Sequence, residues 1–332
     1  IYTAPDGSPA DYSADNVPMK PKKHLEVSLK GVKPGDFSMI FGFPVRTDQY
    51  LSAEAMKQRT EVINPIRIGM RDLSLAVIDS AMRADAQVKI DYASKQARIA
   101  NAWKKWRGES EGVAAVGGLK KRLAMEREFM NRLEAKPGEA TTYSPLLGQI
   151  NGLVTRQEEV AKTNAYAGEL NYNIDMFRIA NILRRQVKIA DNNGIEAFKQ
   201  RLPSIISYLK DFYKGYNPVI DMEVAKALLP TYYKNVPEKH ISVHTQDQVQ
   251  FAGNMDRMIT DIFQRSYLTK GDRLIALLKG DPENALDLLR GDQGYVYVAQ
   301  LNHHNEKRVI HIYNEIRQRA EPLQRQYMKG LL

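Results

Sequence analysis

Residues 64–85 read NPIRIGMRDLSLAVIDSAMRAD, which is the pattern of an amphipathic helix. Asn64-Pro65 places a capping side chain before a proline at the first helical position, an arrangement that helices favour. Apolar residues then recur every three or four positions, at Ile66, Met70, Leu73, Val77 and Ala81. This spacing predicts a helix that opens at Asn64 and buries one stripe. Asp85 is expected to open the next helix.

Helical signals continue towards the C-terminus. Ser144-Pro145 and Asp281-Pro282 repeat the cap-then-proline pattern. Apolar stripes predict a long helix that ends at Asn192-Asn193-Gly194 and a last helix that is bent or interrupted at Pro322. Their residues are Leu170, Ile174, Phe177, Ala180, Val187 and Ala190, and then Val309, Ile312, Ile316, Leu323 and Tyr327. The sequence therefore predicts a mainly α fold, an elongated, bundle-like domain of many helices over residues 51–332.

The first 50 residues have a different pattern, which is typical of strands and turns. Pro5-Asp6-Gly7 has the composition of a tight turn. Leu25, Val27 and Leu29 alternate with polar residues, as in a half-buried strand, and an apolar stretch follows at residues 37–43. A single hairpin is marginally stable alone. We therefore expect residues 1–50 to belong to a larger sheet or barrel, and the chain to be a piece of a longer protein.

Composition narrows the classes of function. The 332 residues include no cysteine, which excludes disulfides, thiolate metal sites and cysteine nucleophiles. Apolar runs fall far short of the roughly 18 residues that a membrane span needs. The net charge of +9 admits a nucleic-acid binder, whose affinity would fall steeply with salt. Because no run of five like charges occurs, solvated helix faces are the favoured interpretation.

Candidate chemical motifs are incomplete. Gly108-Glu109-Ser110-Glu111-Gly112 has the letters of a nucleophile elbow, but Ser110 follows a helix between two glutamates, so a polar loop is expected. Residues 108–118, with four glycines, are expected to form a flexible connection. No metal site is predicted. Taken alone, the other candidates are interpreted as ordinary surface, hydrogen-bonded or core side chains: His240, His244, His303, His304, His311, Trp103, Trp106 and Asn101.

The order of several segments carries a family resemblance. Gly35-Asp36-Phe37-Ser38-Met39-Ile40-Phe41-Gly42-Phe43-Pro44 is followed by Thr47, Tyr50 and an arginine-bearing helix. Matching segments along the chain are Asn16-Val17-Pro18, Lys20-Pro21-Lys22, Ile66-Arg67-Ile68, Met70-Arg71, Ile90-Asp91-Tyr92-Ala93-Ser94-Lys95, Asn101, Trp103, Lys104 and Tyr327-Met328-Lys329-Gly330-Leu331. In this order they resemble the bacterial serine dipeptidyl peptidases of the dipeptidyl-peptidase 7 and 11 type. The chain departs from the family pattern at Val45, Asp48 and Gln49, which puts contacts at the domain junction in question.

The resemblance implies a chymotrypsin-like double β-barrel interrupted by a helical domain. Residues 1–50 would end the first part of the barrel, and residues 51–332 would be the inserted helical cap. The catalytic His, Asp and Ser would lie outside this chain, which would be inactive alone. Asn101 matches the family residue that binds the free N-terminal amine of an oligopeptide substrate.

The same resemblance implies no cofactor, no nucleic-acid partner, a periplasmic or cell-surface location, and a homodimer as one form of the full-length enzyme. The alternative is a non-catalytic helical interaction module.

Overall fold

The computed structural model describes residues 2–39, 41–42 and 48–331. The chain divides into two compact units, Ile1–Asp48 and Gln49–Leu332. In the first unit, strand β1 (Tyr2–Thr3) pairs antiparallel with β2 (Val17–Pro18), with Tyr2 opposite Pro18 and Thr3 opposite Val17. The second unit is helical. The predicted fold class, mainly α with a short N-terminal β segment, is confirmed.

The α-helices of the second unit are α1 (Ala53–Lys57), α2 (Asn64–Ala84), α3 (Ala86–Ala115), α4 (Gly118–Glu134), α5 (Pro137–Asn173), α6 (Asp175–Asn193), α7 (Ile195–Lys199), α8 (Leu202–Tyr213), α9 (Pro218–Asn235), α10 (Val243–Ala252), α11 (Met255–Arg265), α12 (Gly271–Gly280), α13 (Pro282–Gly291), α14 (Gln293–Asn305) and α15 (His311–Leu331). Two π-helical segments, Gln58–Ile63 and Glu306–Ile310, join α1 to α2 and α14 to α15. Short 3₁₀ turns lie at Glu238–His240 and Tyr267–Thr269.

Two apolar clusters hold the helical unit together. The larger one takes buried residues from α2, α3, the C-terminal part of α5, α6 through α9 and α11 through α14, and Val249 of α10 packs against it. The smaller one joins α4, the N-terminal part of α5, and α15, where the rings of Phe129 and Tyr327 meet edge to face at 5.3 Å. The 37 residues of α5 span about 55 Å at 1.5 Å per residue, so this single helix serves both clusters.

Several helix boundaries follow the predicted chemistry. Asp85 is the N-cap of α3, and its carboxylate accepts from the backbone N–H of Gln87 and of Val88. Asp281 caps α13 in the same way, with the proline that follows it at the first helical position. The sixth helix ends at Asn193, beside Gly194, as expected.

Other predicted boundaries are wrong, because tertiary contacts override the local signal. The predicted Asn64 cap is not formed, although α2 begins at Asn64. The π-helical segment leads directly into α2, and the Asn64 amide donates across to Glu109 of α3. Pro145 lies inside α5, where the next residues, Leu146 and Leu147, pack into the smaller cluster. α15 also continues through Pro322 without the predicted interruption. The predicted helix through Leu170 to Ala190 breaks at Ile174, which is extended.

The strand predicted around residues 25–29 is not formed within this chain. Leu25, Val27 and Leu29 lie outside both strands and are 91%, 86% and 95% exposed. A strand needs a neighbour for its backbone hydrogen bonds, and none of the described segments provides one. In the apolar stretch that follows, residues 40 and 43–47, with the family departure at Val45, lie outside the described residues.

Among the described residues, no helix combines the length and the apolar character that crossing a membrane requires.

Candidate functional site

Helices α2 and α3 form an antiparallel hairpin about the turn at Asp85. Gln96 donates to Asp79 at 3.2 Å near this turn, and Trp103 donates to Asp72 at 2.7 Å farther from it. At the far end, Asn64 donates to Ser110 at 3.1 Å. From one contact to the next, the residue number falls by seven or eight on α2 and rises by seven on α3. The two helices therefore run side by side over most of the length of α2.

A groove of about 890 Å³ lies along this hairpin. Small side chains on both helices, Ala76, Ala97 and Ala100, leave the space that a larger residue would fill. The other lining residues are Asp72, Leu75, Asp79, Gln96, Arg98, Asn101, Trp103 and Lys104. Carboxylates come from α2, and amides and cations come from α3. The groove can therefore bind a polar or charged ligand, and its lining contains neither a hydroxyl nor an imidazole nucleophile.

Asn101 is exposed on the groove side of α3. Ile99, two residues earlier, is fully buried, because two residues turn the helix by about 200°. Within residues 48–331, no protein group hydrogen-bonds the Asn101 amide. Its oxygen is therefore available to accept a hydrogen bond from a ligand, as the sequence prediction requires; its role itself stays a prediction.

The opposite face of α3 is held by buried polar contacts. The Tyr92 hydroxyl contacts both backbone groups of Asn217, with 3.2 Å to the carbonyl oxygen and 3.2 Å to the nitrogen. Burial raises the pKa of Tyr92, and the neighbouring carboxylates of Asp221 and Asp175 raise it further. One turn along, the Lys95 ammonium forms an ion pair with Asp175 and lies 3.9 Å from Asp221. These contacts fix α3 against the start of α6 and of α9.

Asp221 caps α6 from a distance in sequence. Its carboxylate accepts from the backbone N–H of Asp175 at 2.6 Å and of Met176 at 2.8 Å. The Tyr216 hydroxyl donates to the same carboxylate at 3.2 Å. Complete burial raises the pKa of Asp221 to about 6, an effect that the positive charge of Lys95 opposes. A cap supplied 46 residues away explains why α6 starts at Asp175 and why the sequence pattern missed the break.

Ser110 lies within α3 and not in a polar loop. Its hydroxyl donates to the Thr60 carbonyl at 3.0 Å and accepts from the Asn64 amide. These contacts tie α3 to the π-helical segment Gln58–Ile63, so the elbow-like serine has a structural role. The predicted flexible connection is also wrong, because α3 continues to Ala115 and only a two-residue turn separates it from α4.

The two histidine groups are hydrogen-bonded or exposed. His240 is buried in a 3₁₀ turn, 2.9 Å from Glu159, whereas His244 lies on α10 and contacts Gln248. His304 contacts the Lys239 carbonyl at 3.2 Å. No cluster of three or more metal-ligating side chains occurs in the part of the chain that the structure describes.

The two tryptophans hold helices together. Trp103 is bound through its indole N–H to Asp72, and the Arg107 guanidinium lies 4.7 Å from its ring. Trp106 lies beneath two cations, Arg71 at 4.4 Å and Arg67 at 5.1 Å. Both rings therefore have partners inside the protein.

Sequence reasoning missed the buried charges. The predicted stripe on α2 is displaced, because Leu73 is 37% exposed while Arg71 and Ser74 are buried. Arg71 forms an ion pair with Glu169 of α5. The residues that flank each of them in sequence give no indication of this pairing. The available signal was Arg71 itself, a cation directly after Met70 of the predicted apolar stripe, and it does not identify the partner.

Comparisons with known proteins support the family resemblance. A sequence profile of the family described as peptidase S46 matches residues 1–332. An Asp/Glu-specific dipeptidyl-peptidase of Capnocytophaga gingivalis is 33% identical over 335 residues, which cover 100% of this chain and 46% of the relative. A dipeptidyl-peptidase 7 of Phocaeicola vulgatus is 29% identical over 86% of this chain and 40% of the relative. The chain thus spans about half the length of the curated relatives it matches.

A solved structure is similar over the whole chain. The crystal structure of Porphyromonas endodontalis DPP11 in complex with the dipeptide Arg-Asp has a TM-score of 0.75 and 25% sequence identity, covering 100% of this chain and 46% of that one. The same DPP11 in an alternate conformation has a TM-score of 0.58 and 20% identity, a likeness of fold alone.

Proposed function

Because this chain belongs to the peptidase S46 family, we propose that it is the helical-domain portion of a serine-type dipeptidyl peptidase. The whole enzyme would release dipeptides from the free N-terminus of oligopeptides. The helical unit would bind the N-terminal amine, and other parts of the protein would cut the peptide. The relatives include both Asp/Glu-specific and dipeptidyl-peptidase 7 enzymes. The proposal therefore concerns the release of dipeptides and not the specificity for the residue before the cleaved bond.

One observation carries the proposal: Asn101 is exposed, unpaired among the described residues, and placed in a groove with two carboxylates. An amide oxygen accepts a hydrogen bond from an ammonium group. Asp72 and Asp79, on the facing helix, add negative charge that attracts the same group. A substrate that lacks the positive amine would lose both interactions.

The position of such a contact would determine the length of the product. Two residues of extended peptide span roughly 7 Å. An amine held by Asn101 would therefore place the second peptide bond, and no later one, at the reactive group. Orientation of this kind favours one bond over all others.

The remaining parts of the proposal follow the family resemblance. Residues 1–50 would end the first part of a chymotrypsin-like barrel, and residues 51–332 would be the inserted cap. The catalytic His, Asp and Ser would come from outside residues 1–332, so this chain alone would be inactive. The enzyme would need no cofactor and would act in the periplasm or at the cell surface. The full-length enzyme would form a homodimer, with one helical cap in each subunit.

The test compares substrates with and without the amine in the full-length protein. Asn101→Ala is measured beside wild type on a peptide with a free N-terminus and on its des-amino analogue. A hydrogen bond to a charged group contributes about 1.5–3 kcal/mol, so kcat/KM for the free-amine peptide should fall about 10- to 100-fold. The des-amino peptide should be a poor substrate for both proteins.

Asn131→Ala is the matched control, since Asn131 is an exposed helical asparagine on α4 outside the groove. It should leave both rates unchanged. An equal loss on both peptides in Asn101→Ala would contradict amine binding by this residue. Absence of peptidase activity in the wild-type full-length protein would favour the non-catalytic interaction module instead.

A further inference from the structure

Arg71 is a buried cation at the junction of α2, α3 and α5. Its side chain is only 4% exposed and that of its partner Glu169 only 6%. Arg71 donates to the two carboxylate oxygens of Glu169, at 2.8 Å from Nε and 3.3 Å from Nη2. Asn173 donates to the same carboxylate at 3.0 Å, which fixes Glu169 on its own helix. The pair therefore has a single, well-defined geometry.

The third contact of Arg71 reaches α3. Its Nη1 donates to the backbone carbonyl of Ile99 at 2.9 Å. In an α-helix this carbonyl also accepts from the N–H four residues later, which belongs to Trp103. Arg71 thus contacts the helical turn that presents Asn101, from the side opposite the groove.

Aromatic rings fix the plane of the guanidinium. The centroids of Trp106 and Tyr172 each lie 4.4 Å from the central carbon of Arg71. Trp106 belongs to α3 and Tyr172 to α5, so the stacked group connects the same two helices as the hydrogen bonds. A lysine at this position would keep the charge but lose the planar fork and the stacking.

A buried ion pair is a poor means of gaining stability. Desolvation of two charges offsets most of their attraction, and well-packed apolar residues of similar volume are often at least as stable. A pair that contacts the turn bearing a ligand-binding residue has a further effect, because it sets where that residue lies. Displacement of about 1 Å at a binding group can cost about a hundredfold in rate.

We propose that Arg71 and Glu169 are a positioning pair, which holds the turn from Ile99 to Trp103 so that Asn101 meets the substrate amine. This inference rests on the proposed function of Asn101. It adds a role for two residues that touch no substrate and act through the backbone of α3.

The experiment uses the full-length protein and the ratio of kcat/KM for the free-amine peptide to kcat/KM for its des-amino analogue. Arg71→Met combined with Glu169→Leu removes both charges and leaves neither partner buried alone. This double variant should fold, with a circular dichroism spectrum like that of wild type. The ratio should fall between about tenfold and a hundredfold, mainly through a higher KM for the free-amine peptide.

Two further variants separate positioning from general damage. Arg71→Lys should lower the ratio by a smaller factor, and it supplies the test if the double variant does not fold. Arg184→Met combined with Glu306→Leu removes another interhelical ion pair, between α6 and the second π-helical segment, and should leave the ratio unchanged.

Coupling with Asn101 decides the inference. On an Asn101→Ala background, loss of the Arg71–Glu169 pair should lower the ratio by less than about twofold, because the turn no longer presents an acceptor. An unchanged ratio in the paired variant, or a loss that adds in full to that of Asn101→Ala, would overturn the positioning role. An unchanged ratio in Asn101→Ala itself would overturn the proposed amine contact, and with it this inference.

Discussion

The two faces of α3 use polar residues in opposite ways. On the inner face, Tyr92 is buried and the Lys95 side chain is only 10% exposed, and both are bound to groups of neighbouring helices. On the outer face, Asn101 and Lys104 are exposed along an open groove. One helix can therefore keep its binding groups free, because other polar groups fix its position. Substitutions on the inner face should therefore act mainly on stability, and substitutions on the outer face mainly on ligand binding.

The largest effect on stability is expected at Lys95. Lys95→Met removes the cation that faces Asp175 and Asp221, and leaves two carboxylates buried beside each other. Breaking a buried pair from one side costs about 3–5 kcal/mol. Urea denaturation of the intact protein at pH 7 should show this loss. A change below about 1 kcal/mol would mean that the inner face does not hold α3.

A pH-dependent effect of intermediate size is expected at Asp221. Burial raises its pKa from the usual 3.8 to about 6, so the folded protein retains a proton that the unfolded chain releases. The stability contributed by this carboxyl group therefore decreases as the pH rises from about 4 to about 6, and by up to about 3 kcal/mol for a shift of two units. Above pH 6 the contribution is constant.

Asp221→Asn removes this titration. The stability of wild type relative to the variant should decline between pH 4 and pH 6, as measured by urea denaturation at several pH values. A difference that stays flat, or that grows with pH, would contradict the raised pKa.

A smaller loss is expected at the turn of the hairpin. Asp85→Ala removes the cap that accepts from two backbone N–H groups of α3. Loss of an N-cap costs typically about 1 kcal/mol. Asp281→Ala, which uncaps α13 far from the groove in sequence, is the matched comparison and should cost a similar amount. Only Asp85→Ala should alter binding at the groove.

The smallest effect on stability is expected on the outer face. Asn101→Ala replaces an exposed, unpaired amide by the best helix former, so the free energy of unfolding should change by less than about 0.5 kcal/mol. A loss of more than about 1 kcal/mol in calorimetry would show that Asn101 is a structural residue.

The sequence predicted the helical class, because apolar spacing and caps such as Asp85 and Asp281 are local signals. The sequence-based predictions were wrong where a helix boundary depends on a group that is distant in sequence. Asp221 caps the start of α6 from 46 residues away, and packing in the smaller cluster carries α5 through Pro145. No spacing rule contains either contact.

Only one residue of the candidate site, Asn101, was predicted from the sequence. Asn101 came from the family resemblance, and its exposure on the groove agrees with that prediction without testing its role. The groove itself depends on α2 and α3 running antiparallel, which brings Asp72 beside Trp103, 31 residues later. The Arg71–Glu169 pair joins residues 98 positions apart, so a single sequence could not reveal it.

The most direct measurement is a crystal structure of the full-length protein with a bound dipeptide. We expect the N-terminal nitrogen of the dipeptide to lie about 2.7–3.2 Å from the Asn101 side-chain oxygen, with Asp72 and Asp79 near the same charge. A dipeptide amine held elsewhere, with the Asn101 amide still facing solvent, would contradict the central claim.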